Sequence, residues 1–310
     1  MENVFNVADG VKQHIDARVV DLQKRGIKSQ SKMDLLRLAV SMIDLTVFER
    51  VEAQDKVQQI CLKAKDPIAY GVRREFLSRF HNFPEISPVA AVCVYPPHIK
   101  TALLALAGSG VKVAAVAAHL PTSSSNLDLR LFEIRQAVSE GANEVDMVIN
   151  QSALMTGCYQ QVYDEIAAAK EICRDSVRLK VILETGELGT FENIRMASFL
   201  AMEAGADFIK LSSGKYAKAA TMESTLVMLR AIFDFFRVSN KKVGMKPDDG
   251  VKTAKQAIQY LVMAKEVLGE TWLTADRFRF SASSLLNDLL RQICKESLGY
   301  YFYDNVFAAD

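Results

Sequence analysis

Eight short apolar runs recur along the chain from residue 40 onward, separated by longer stretches with the spacing of amphipathic helices, such as NLDLRLFEIRQAVSEGA. Apolar strands that alternate with helices predict a parallel sheet covered by helices. Eight such units over about 250 residues predict a (β/α)8 barrel, that is, a TIM barrel. An open doubly wound sheet is less favoured, because MIDLTVFE follows the first run in place of a Gly-rich turn. The runs span residues 41–46, 89–95, 111–119, 144–149, 179–185, 206–213, 242–248 and 277–283.

The segments outside the barrel divide the chain into three parts. Residues 1–35 are charge-rich with loosely helical spacing, which predicts an N-terminal helical extension. Residues 36–295 form the predicted barrel domain, and residues 296–310 form a C-terminal tail. The aromatic side chains of YYFYDNVFAAD either pack on the barrel or close over a substrate.

The composition argues against several classes of function. The 38 basic and 37 acidic residues give a net charge of +1, so there is no electrostatic footprint for nucleic acid or an anionic membrane. Five scattered cysteines without a C-x-x-C pair predict reduced thiols and a cytoplasmic location. The apolar stretch 101–120 contains Gly-Ser-Gly and Lys112, which predict a helix end, a turn and a strand instead of a membrane span.

In barrels of this type, chemistry is found at the C-terminal ends of the strands. Seven of the eight runs carry an ionisable side chain near that rim, and the eighth carries hydroxyls. Among them we expect a structural role for His119, a wall position for Cys93, and for Glu184 a role in orienting its neighbours. The rim residues are Asp44, Cys93, His119, Asp146, Glu184, Lys210, Lys246 and Ser283.

Two lysines interrupt otherwise apolar strands. Lys210 and Lys246 lie on the predicted sixth and seventh strands. Neighbouring strands are about 4.8 Å apart, so the two ammonium groups are close together if both side chains point inward. A nearby like charge and a dry site disfavour a protonated amine, and only the neutral amine is a nucleophile. At the ordinary pKa of roughly 10.4, fewer than about one lysine in a thousand is neutral at pH 7. The pattern therefore predicts imine formation by Lys210, the alternative being an ion pair with Asp207.

Asp146 and two serines complete the candidates drawn from the residues alone. In EVDMVI, alternation places Glu144 and Asp146 on one face, where Asp146 either relays protons between the lysines or neutralises one of them. Ser283 and Ser284 stand directly before a helical pattern, where they cap the helix or bind a phosphate. The four histidines lack metal-ligand spacing, so we expect no metal.

Seven motifs in order resemble one known family. MIDLT, VCVYP, GANEVDMVI, LKVILETGEL, AGADFIKLSSGK, GMKP and SASSLL are similar, over about residues 35–295, to the deoxyribose-phosphate aldolases. These are class I, metal-independent enzymes that cleave 2-deoxy-D-ribose 5-phosphate to acetaldehyde and D-glyceraldehyde 3-phosphate. The resemblance implies that no cofactor is needed and that the partner is a small-molecule substrate. A homodimer is one possible assembly, but the sequence does not fix the oligomeric state.

The same resemblance assigns roles residue by residue. It implies that Lys210 is the Schiff-base lysine, that Lys246 perturbs it and that Asp146 relays protons. It further implies a group of residues that line the substrate and phosphate pocket, to which we add Ser213 and Gly250 from the same loops. That group is Asp44, Cys93, Ser213, Gly214, Lys215, Gly250, Ser283 and Ser284.

The chain departs from the family in its phosphate loops. KPDDG stands where the family has KPAGG, so Asp248 and Asp249 replace small residues, and Ser281 replaces the glycine of FGASS. The loop after strand three, AHLPTSS, replaces an NFPHG-like loop. A carboxylate near a phosphate repels it. We therefore expect weaker phosphate affinity unless Asp249 turns to solvent or pairs with Lys215 or Lys252.

Two alternatives remain open at this point. The altered loops favour a lysine-dependent aldolase acting on another, non-phosphorylated aldehyde. A non-catalytic barrel that binds a sugar phosphate is a different class of function, and its expected mark is the loss of Lys210, Lys246 or Asp146. All three are present.

Overall fold

The chain folds around an eight-stranded, all-parallel sheet in the order β7-β6-β5-β4-β3-β2-β1-β8. This is a computed structural model that describes residues 10–24, 29–46, 54–68, 83–117, 126–212, 221–247, 250–281, 283–303 and 306–307. Each of the eight predicted apolar runs overlaps one strand. The strands are β1 (Ile43–Thr46), β2 (Ala91–Val94), β3 (Lys112–Val116), β4 (Glu144–Val148), β5 (Arg178–Ile182), β6 (Phe208–Lys210), β7 (Gly244–Lys246) and β8 (Phe280–Ser281).

Backbone hydrogen bonds close the sheet into a ring. β8 pairs with β1 through Ile43 and Phe280. On the other side, the amide of Met245 in β7 donates to the carbonyl of Arg277 at 2.8 Å, and the amide of Arg279 donates to the carbonyl of Met245 at 3.0 Å. The predicted (β/α)8 barrel is therefore confirmed.

Helices cover the outside of the ring. α1 and α2 precede the first strand, and the others follow strands or lie in the connections between them. They are α1 (Gly10–Gln23), α2 (Ser29–Ser41), α3 (Gln54–Lys65), α4 (Ile99–Leu106), α5 (Leu127–Ser139), α6 (Gln151–Met155), α7 (Tyr159–Cys173), α8 (Thr185–Leu188), α9 (Phe191–Glu203), α10 (Met222–Ser239), α11 (Ala254–Leu268) and α12 (Ser283–Leu298).

Local sequence explains where several of these helices begin. Thr190, Thr221 and Thr253 precede α9, α10 and α11, and each side chain accepts a hydrogen bond from a backbone amide of the first turn. The side-chain oxygen of Gln256 accepts a hydrogen bond from the Thr253 amide at 3.0 Å and completes a capping box with Thr253. Such caps satisfy amides that have no partner within the helix.

The N-terminal helices pack on the outer layer of the barrel. α1 contacts α10 and α11, and α2 contacts α11 and α12. Ile15, Val19 and Leu22 form the buried stripe of α1. Lys32 of α2 lies 2.7 Å from Glu296 of α12. The division of the chain at residues 35 and 295 stays a prediction; the two positions fall within α2 and α12.

The C-terminal tail returns along α12. The carbonyl of Phe302 accepts from Arg291 Nε at 3.2 Å, and the Phe307 side chain is fully buried. The carbonyl of Phe307 accepts from Lys63 Nζ of α3, which also donates to Asn287 Oδ1 of α12 at 2.6 Å. The described part of the tail therefore packs on the barrel.

The apolar stretch 101–120 has the structure expected from its glycines. α4 ends at Leu106, Gly108 and Gly110 adopt positive φ, and β3 follows. Over the described ranges, no helix has both the length and the apolar character needed to cross a membrane.

Candidate active site

The interior of the barrel holds a layer of charged side chains at the ends of its strands. Lys210 of β6 pairs in register with Lys246 of β7, so both side chains lie on the inner face. Lys210 is 4% exposed and Lys246 is fully buried. The two predicted lysines are thus neighbours in a dry environment, as the alternation of β6 and β7 requires.

Asp146 of β4 lies between these lysines. Its Oδ2 atom is 3.5 Å from Lys210 Nζ and 3.8 Å from Lys246 Nζ. Oδ2 is buried and accepts no hydrogen bond from the residues that the structure describes. A buried carboxylate oxygen with a free lone pair beside two amines is suited to accept and return a proton.

Asp44 of β1 is the partner of Lys246. Its Oδ2 atom lies 2.5 Å from Lys246 Nζ, and both side chains are fully buried. The sequence placed Asp44 in the substrate pocket; in the structure it joins the charged layer, where it fixes the second lysine.

Lys180 of β5 was missed by the sequence analysis. Its Nζ lies 2.6 Å from Asp146 Oδ1, 2.8 Å from Glu144 Oε2 and 3.7 Å from Asp44 Oδ2. The signal was available, because Lys180 interrupts the apolar run LKVILET as Lys210 interrupts its own. The side chain is fully buried, so this lysine belongs to the same layer.

Arg279, just before β8, is a second missed residue. Its Nη2 atom lies 2.8 Å from Glu144 Oε1, and its Nη1 atom is 4.0 Å from Asp44 Oδ2. We call the following seven buried side chains the charge cluster. Its members are Asp44, Glu144, Asp146, Lys180, Lys210, Lys246 and Arg279.

The charge cluster contains four cationic groups and three carboxylates. With every group ionised its net charge is +1, and loss of one proton from a lysine makes it neutral. A neutral cluster is favourable in a dry interior, because an unbalanced buried charge is costly. The arrangement therefore favours one neutral lysine.

The carboxylates around Lys180 favour its charged form. Burial lowers the pKa of Lys180, but the carboxylates of Asp146, Glu144 and Asp44 outweigh it and hold the pKa above the ordinary range. These contacts favour the protonated form of Lys180, which makes it a poor candidate for the nucleophile.

The carboxylates of β4 are held as anions. Burial raises the pKa of Asp146, but Lys180, Lys246 and Lys210 more than compensate and bring the pKa well below the ordinary range. Burial likewise opposes the ionisation of Glu144, yet Lys180 and Arg279 lower its pKa to about 2.

The alternative ion pair between Lys210 and Asp207 is wrong. Asp207 Oδ2 lies 2.7 Å from Lys170 Nζ of α7 and accepts from the amide of Leu179 at 2.8 Å. Asp207 and Lys210 are three positions apart, so in an extended strand their side chains point to opposite faces.

Cys93 lies where a wall residue was expected. With Tyr95, Ala114 and Val116 it forms a small buried apolar cluster on β2 and β3. Burial, with Asp146 and Asp44 nearby, raises the pKa of the Cys93 thiol to about 12, so the sulfur stays protonated. All five cysteines are free.

The predicted phosphate loops are only partly described. Ser213, Gly214, Lys215, His119, Asp248 and Asp249 lie outside the described residues. Gly250 is half-buried, and Ser284 is exposed. The expectation that both serines precede the last helix is wrong, because α12 begins at Ser283 and they form its first turn.

Two further rim residues are described. Ser281 is buried, and its Oγ lies 3.2 Å from Thr46 Oγ1 on the neighbouring strand. Glu184 is buried at the end of β5 in a left-handed conformation, φ 54° and ψ 56°. A non-glycine residue in this region carries backbone strain on the order of 1 kcal/mol, and such strain is common at functional sites. An orienting role for Glu184 stays a prediction.

Over the described ranges, no group of three or more His, Cys, Asp or Glu residues is arranged to hold a metal ion.

Several known proteins have sequences similar to this chain. The family described as DeoC/LacD family aldolase matches residues 42–267. The protein named deoxyribose-phosphate aldolase from Mus musculus is 44% identical over 280 residues, which cover 90% of this chain and 86% of that protein. Its namesake from Homo sapiens is 43% identical with the same coverage.

A solved structure adds support at the level of the fold. The tetrameric deoxyribose phosphate aldolase from Aeropyrum pernix has a TM-score of 0.59 and 23% identity, covering 87% of this chain and 97% of that one. With the family match and the identity to the mouse and human proteins, the chain belongs to the DeoC/LacD family of aldolases.

Proposed function

We propose that this chain is a class I aldolase that cleaves 2-deoxy-D-ribose 5-phosphate to acetaldehyde and D-glyceraldehyde 3-phosphate, with Lys210 as the imine-forming residue. One observation carries the proposal. Lys210 Nζ lies 3.5 Å from Asp146 Oδ2, an oxygen that accepts no hydrogen bond from the described residues, in a chain that belongs to an aldolase family. The names of the mouse and human relatives supply the substrate.

The choice of Lys210 over the other two lysines rests on its surroundings. Lys180 is held as an ammonium group by three carboxylates. Lys246 makes a close ion pair with Asp44. Lys210 meets Asp146 at a longer distance, at the C-terminal end of β6 where substrates of such barrels bind.

The proposed reaction begins with the neutral amine of Lys210 adding to C1 of the open-chain sugar. Loss of water gives a protonated imine, which serves as an electron sink. The C3 hydroxyl then loses its proton, the C2–C3 bond breaks, and its electron pair passes into the imine to give an enamine. D-Glyceraldehyde 3-phosphate leaves as the aldehyde.

The second half of the reaction releases the two-carbon product. A proton added to the enamine carbon makes the methyl group, and water hydrolyses the imine to free acetaldehyde and Lys210. We assign the proton transfers to Asp146 and Lys246, because Asp146 Oδ2 lies within 4 Å of both amines.

Trapping the imine tests the proposal. The protein is mixed with 2-deoxyribose 5-phosphate and a borohydride reductant, and the adduct is mapped by peptide mass spectrometry. We expect a reduced sugar adduct or a two-carbon ethyl adduct on Lys210, and none in Lys210→Met. Lys112→Met removes an exposed lysine of β3 and should react like the parent protein. A folded protein that forms no adduct, even with acetaldehyde, would favour the sugar-phosphate-binding barrel.

A second candidate is an aldolase for a non-phosphorylated aldehyde, favoured by Asp248, Asp249 and Ser281. Comparing kcat/KM for deoxyribose with and without the phosphate separates the two. If the carboxylate of Asp249 repels the phosphate, then Asp249→Gly lowers KM for the phosphorylated sugar and leaves KM for deoxyribose unchanged. An unchanged KM for the phosphorylated sugar would show that Asp249 does not oppose binding.

We further propose that the protein works in the cytoplasm as a homodimer, within deoxyribose catabolism. The five free cysteines support a reducing compartment. Light scattering of the purified protein tests the dimer, and a monomer at assay concentration would contradict it.

A further inference from the structure

Glu144 lies on the same inner face of β4 as Asp146, two residues earlier and one layer deeper in the barrel. Its two carboxylate oxygens are shared between two cations. Oε1 lies 2.8 Å from Arg279 Nη2, and Oε2 lies 2.8 Å from Lys180 Nζ. Glu144 therefore links the deeper layer to the site of the proposed chemistry.

Arg279 is held so firmly that it can serve as a fixed support. Its side chain is buried, its Nε donates to the carbonyl of Ala275, and its guanidinium lies 5.7 Å from the ring centroid of Phe208. Nη1 lies 3.4 Å from Glu144 Oε2 while Nη2 contacts Oε1, so the planar fork meets both oxygens. A forked contact fixes the orientation of a carboxylate better than a single ammonium does.

Lys180 is in turn held between two carboxylates. It donates to Asp146 Oδ1 at 2.6 Å while Glu144 lies at 2.8 Å on the other side. Because Oδ1 is occupied by Lys180, the remaining oxygen of Asp146 is the one that lies near Lys210 and Lys246.

We propose that Glu144, clamped by Arg279, is a positioning residue for the reaction: it holds Lys180 against Asp146 Oδ1 and so keeps Oδ2 directed at Lys210. Glu144 itself lies one layer from the reacting atoms and acts through Lys180. This inference rests on the proposed function of Lys210 and Asp146, and it adds a residue pair from the deeper layer to that site.

Glu144 and Arg279 also affect the net charge of the charge cluster around Lys210. Replacing Glu144 by glutamine raises the net charge of the ionised charge cluster by one, and replacing Arg279 by methionine lowers it by one. The first change favours the neutral form of Lys210, and the second favours its protonated form. Within the part of the chain that the structure describes, the other charged or titratable groups that face this centre are Asp44 on β1, Cys93 on β2, Asp146 on β4, Lys180 on β5 and Lys246 on β7.

The test is the pH dependence of sugar cleavage in Glu144→Gln. We expect kcat to fall about 10- to 100-fold, because Lys180 and Asp146 lose their fixed orientation, while KM changes less than about twofold. We also expect the acid limb of the kcat/KM profile to move to lower pH by about one pH unit. Arg279→Met should move the same limb to higher pH.

A matched control distinguishes positioning from a structural role. Glu165 of α7 forms a comparable buried pair with Arg130 of α5, 2.7 Å apart, outside the barrel interior. Glu165→Gln should lower the thermal midpoint, as Glu144→Gln does. Its kcat and the acid limb of its kcat/KM profile should be the same as in the parent protein. A purely structural pair at Glu144 would behave like this control.

The outcomes separate this proposal from the proposed function. If the parent protein forms no imine on Lys210, the function itself is wrong. If the parent protein turns over and Glu144→Gln keeps both kcat and the acid limb, the positioning role is wrong while the function stands. If Glu144→Gln does not fold, Arg279→Met decides: a limb that moves to higher pH supports the role, and an unmoved limb overturns it.

Discussion

Lys180 on β5 and Lys210 on β6 contact different oxygens of the same carboxylate, Asp146. Lys180 meets Oδ1 at 2.6 Å and has Glu144 on its other side. Lys210 meets Oδ2 at 3.5 Å. Because electrostatic attraction increases at short distance, these close contacts hold Lys180 as a cation, while Lys210 is the better candidate for the neutral amine.

Sequence alone could identify lysines inside strands but not their partners. Lys210, Lys246 and Asp146 were selected because each interrupts an apolar run at a predicted rim, and the structure brings them together. Lys180 has the same signal and pairs in register with Asp146, but it is only the second residue of its apolar run, so its place beside the rim residues depends on contacts across the barrel. Such contacts join residues far apart in the chain, and alternation within one strand does not reveal them.

Replacing Lys180 tests whether it is a structural cation. Lys180→Met leaves Asp146 and Glu144 without their shared partner, and breaking a buried ion pair typically costs about 3–5 kcal/mol. We expect a loss near the lower end, about 3 kcal/mol of the free energy of unfolding, because Arg279 and Lys246 remain. Urea denaturation measures it, with Lys112→Met as the control.

The site of the trapped adduct gives a second outcome for this variant. Since Lys180 is an ammonium group, borohydride trapping with acetaldehyde should still modify Lys210 in Lys180→Met. An adduct that disappears from Lys210, or one found on Lys180 in the parent protein, would contradict the assignment.

At the level of elements, the existence of the strands was predictable and their ends were not. The run 206–213 contains only the three residues of β6, and the run 277–283 only the two of β8. An apolar run in the sequence indicates which side chains are buried. The ends of a strand are instead set by where its backbone stops forming hydrogen bonds with the neighbouring strand. Residues 277 and 279 are still bonded to β7 although they precede β8, and that pairing depends on the closure of the barrel.

Gly244, the first residue of β7, packs closely against a side chain of the neighbouring strand β6. It pairs in register with Phe208 of β6, and a Cβ atom at Gly244 would lie 2.5 Å from the ring of Phe208. The ring therefore occupies the space over β7. Lys246 lies two residues further on the same strand, so a shift of β7 would move the second lysine.

We expect Gly244→Ala to destabilise the protein by about 1–3 kcal/mol through overpacking against Phe208. The double variant Gly244→Ala/Phe208→Leu should lose less free energy of unfolding than the sum of the two single variants, because the smaller side chain leaves room for the methyl group. Urea denaturation of all four proteins gives the coupling energy. If the losses of the two single variants add up to the loss of the double variant, then contact with the Phe208 ring is not the reason that Gly244→Ala destabilises the protein.

At the scale of the whole molecule, most of the buried charged side chains among the described residues lie in the barrel interior, and apolar side chains fill the space between strands and helices. The charge cluster joins strands from both halves of the chain, since Asp44 of β1 meets Lys246 of β7 and Arg279 near β8 meets Glu144 of β4. These contacts connect the start and the end of the barrel. The cluster therefore couples the integrity of the ring to the ionisation of its carboxylates.

This coupling predicts a specific response to acid. The pKa of Glu144 is about 2 in the folded protein, against an ordinary value of 4.5, because Lys180 and Arg279 outweigh the effect of burial. A carboxylate with a depressed folded pKa stabilises the protein above its unfolded pKa and loses that contribution as pH falls toward the folded value. Glu144 therefore contributes on the order of 3 kcal/mol that disappears between about pH 4.5 and pH 2.

The free energy of unfolding is measured by urea denaturation at several pH values, from pH 7 down to the lowest pH at which the protein stays folded. The parent protein should lose stability steeply below about pH 4.5, whereas Glu144→Gln, which cannot take up this proton, starts lower and declines less steeply. Glu171→Gln changes an exposed carboxylate of α7 and should follow the parent protein. If Glu144→Gln and the parent protein decline in parallel across this range, the paired state of Glu144 does not govern acid stability, and the cation contacts of its carboxylate are weaker in solution than the distances imply.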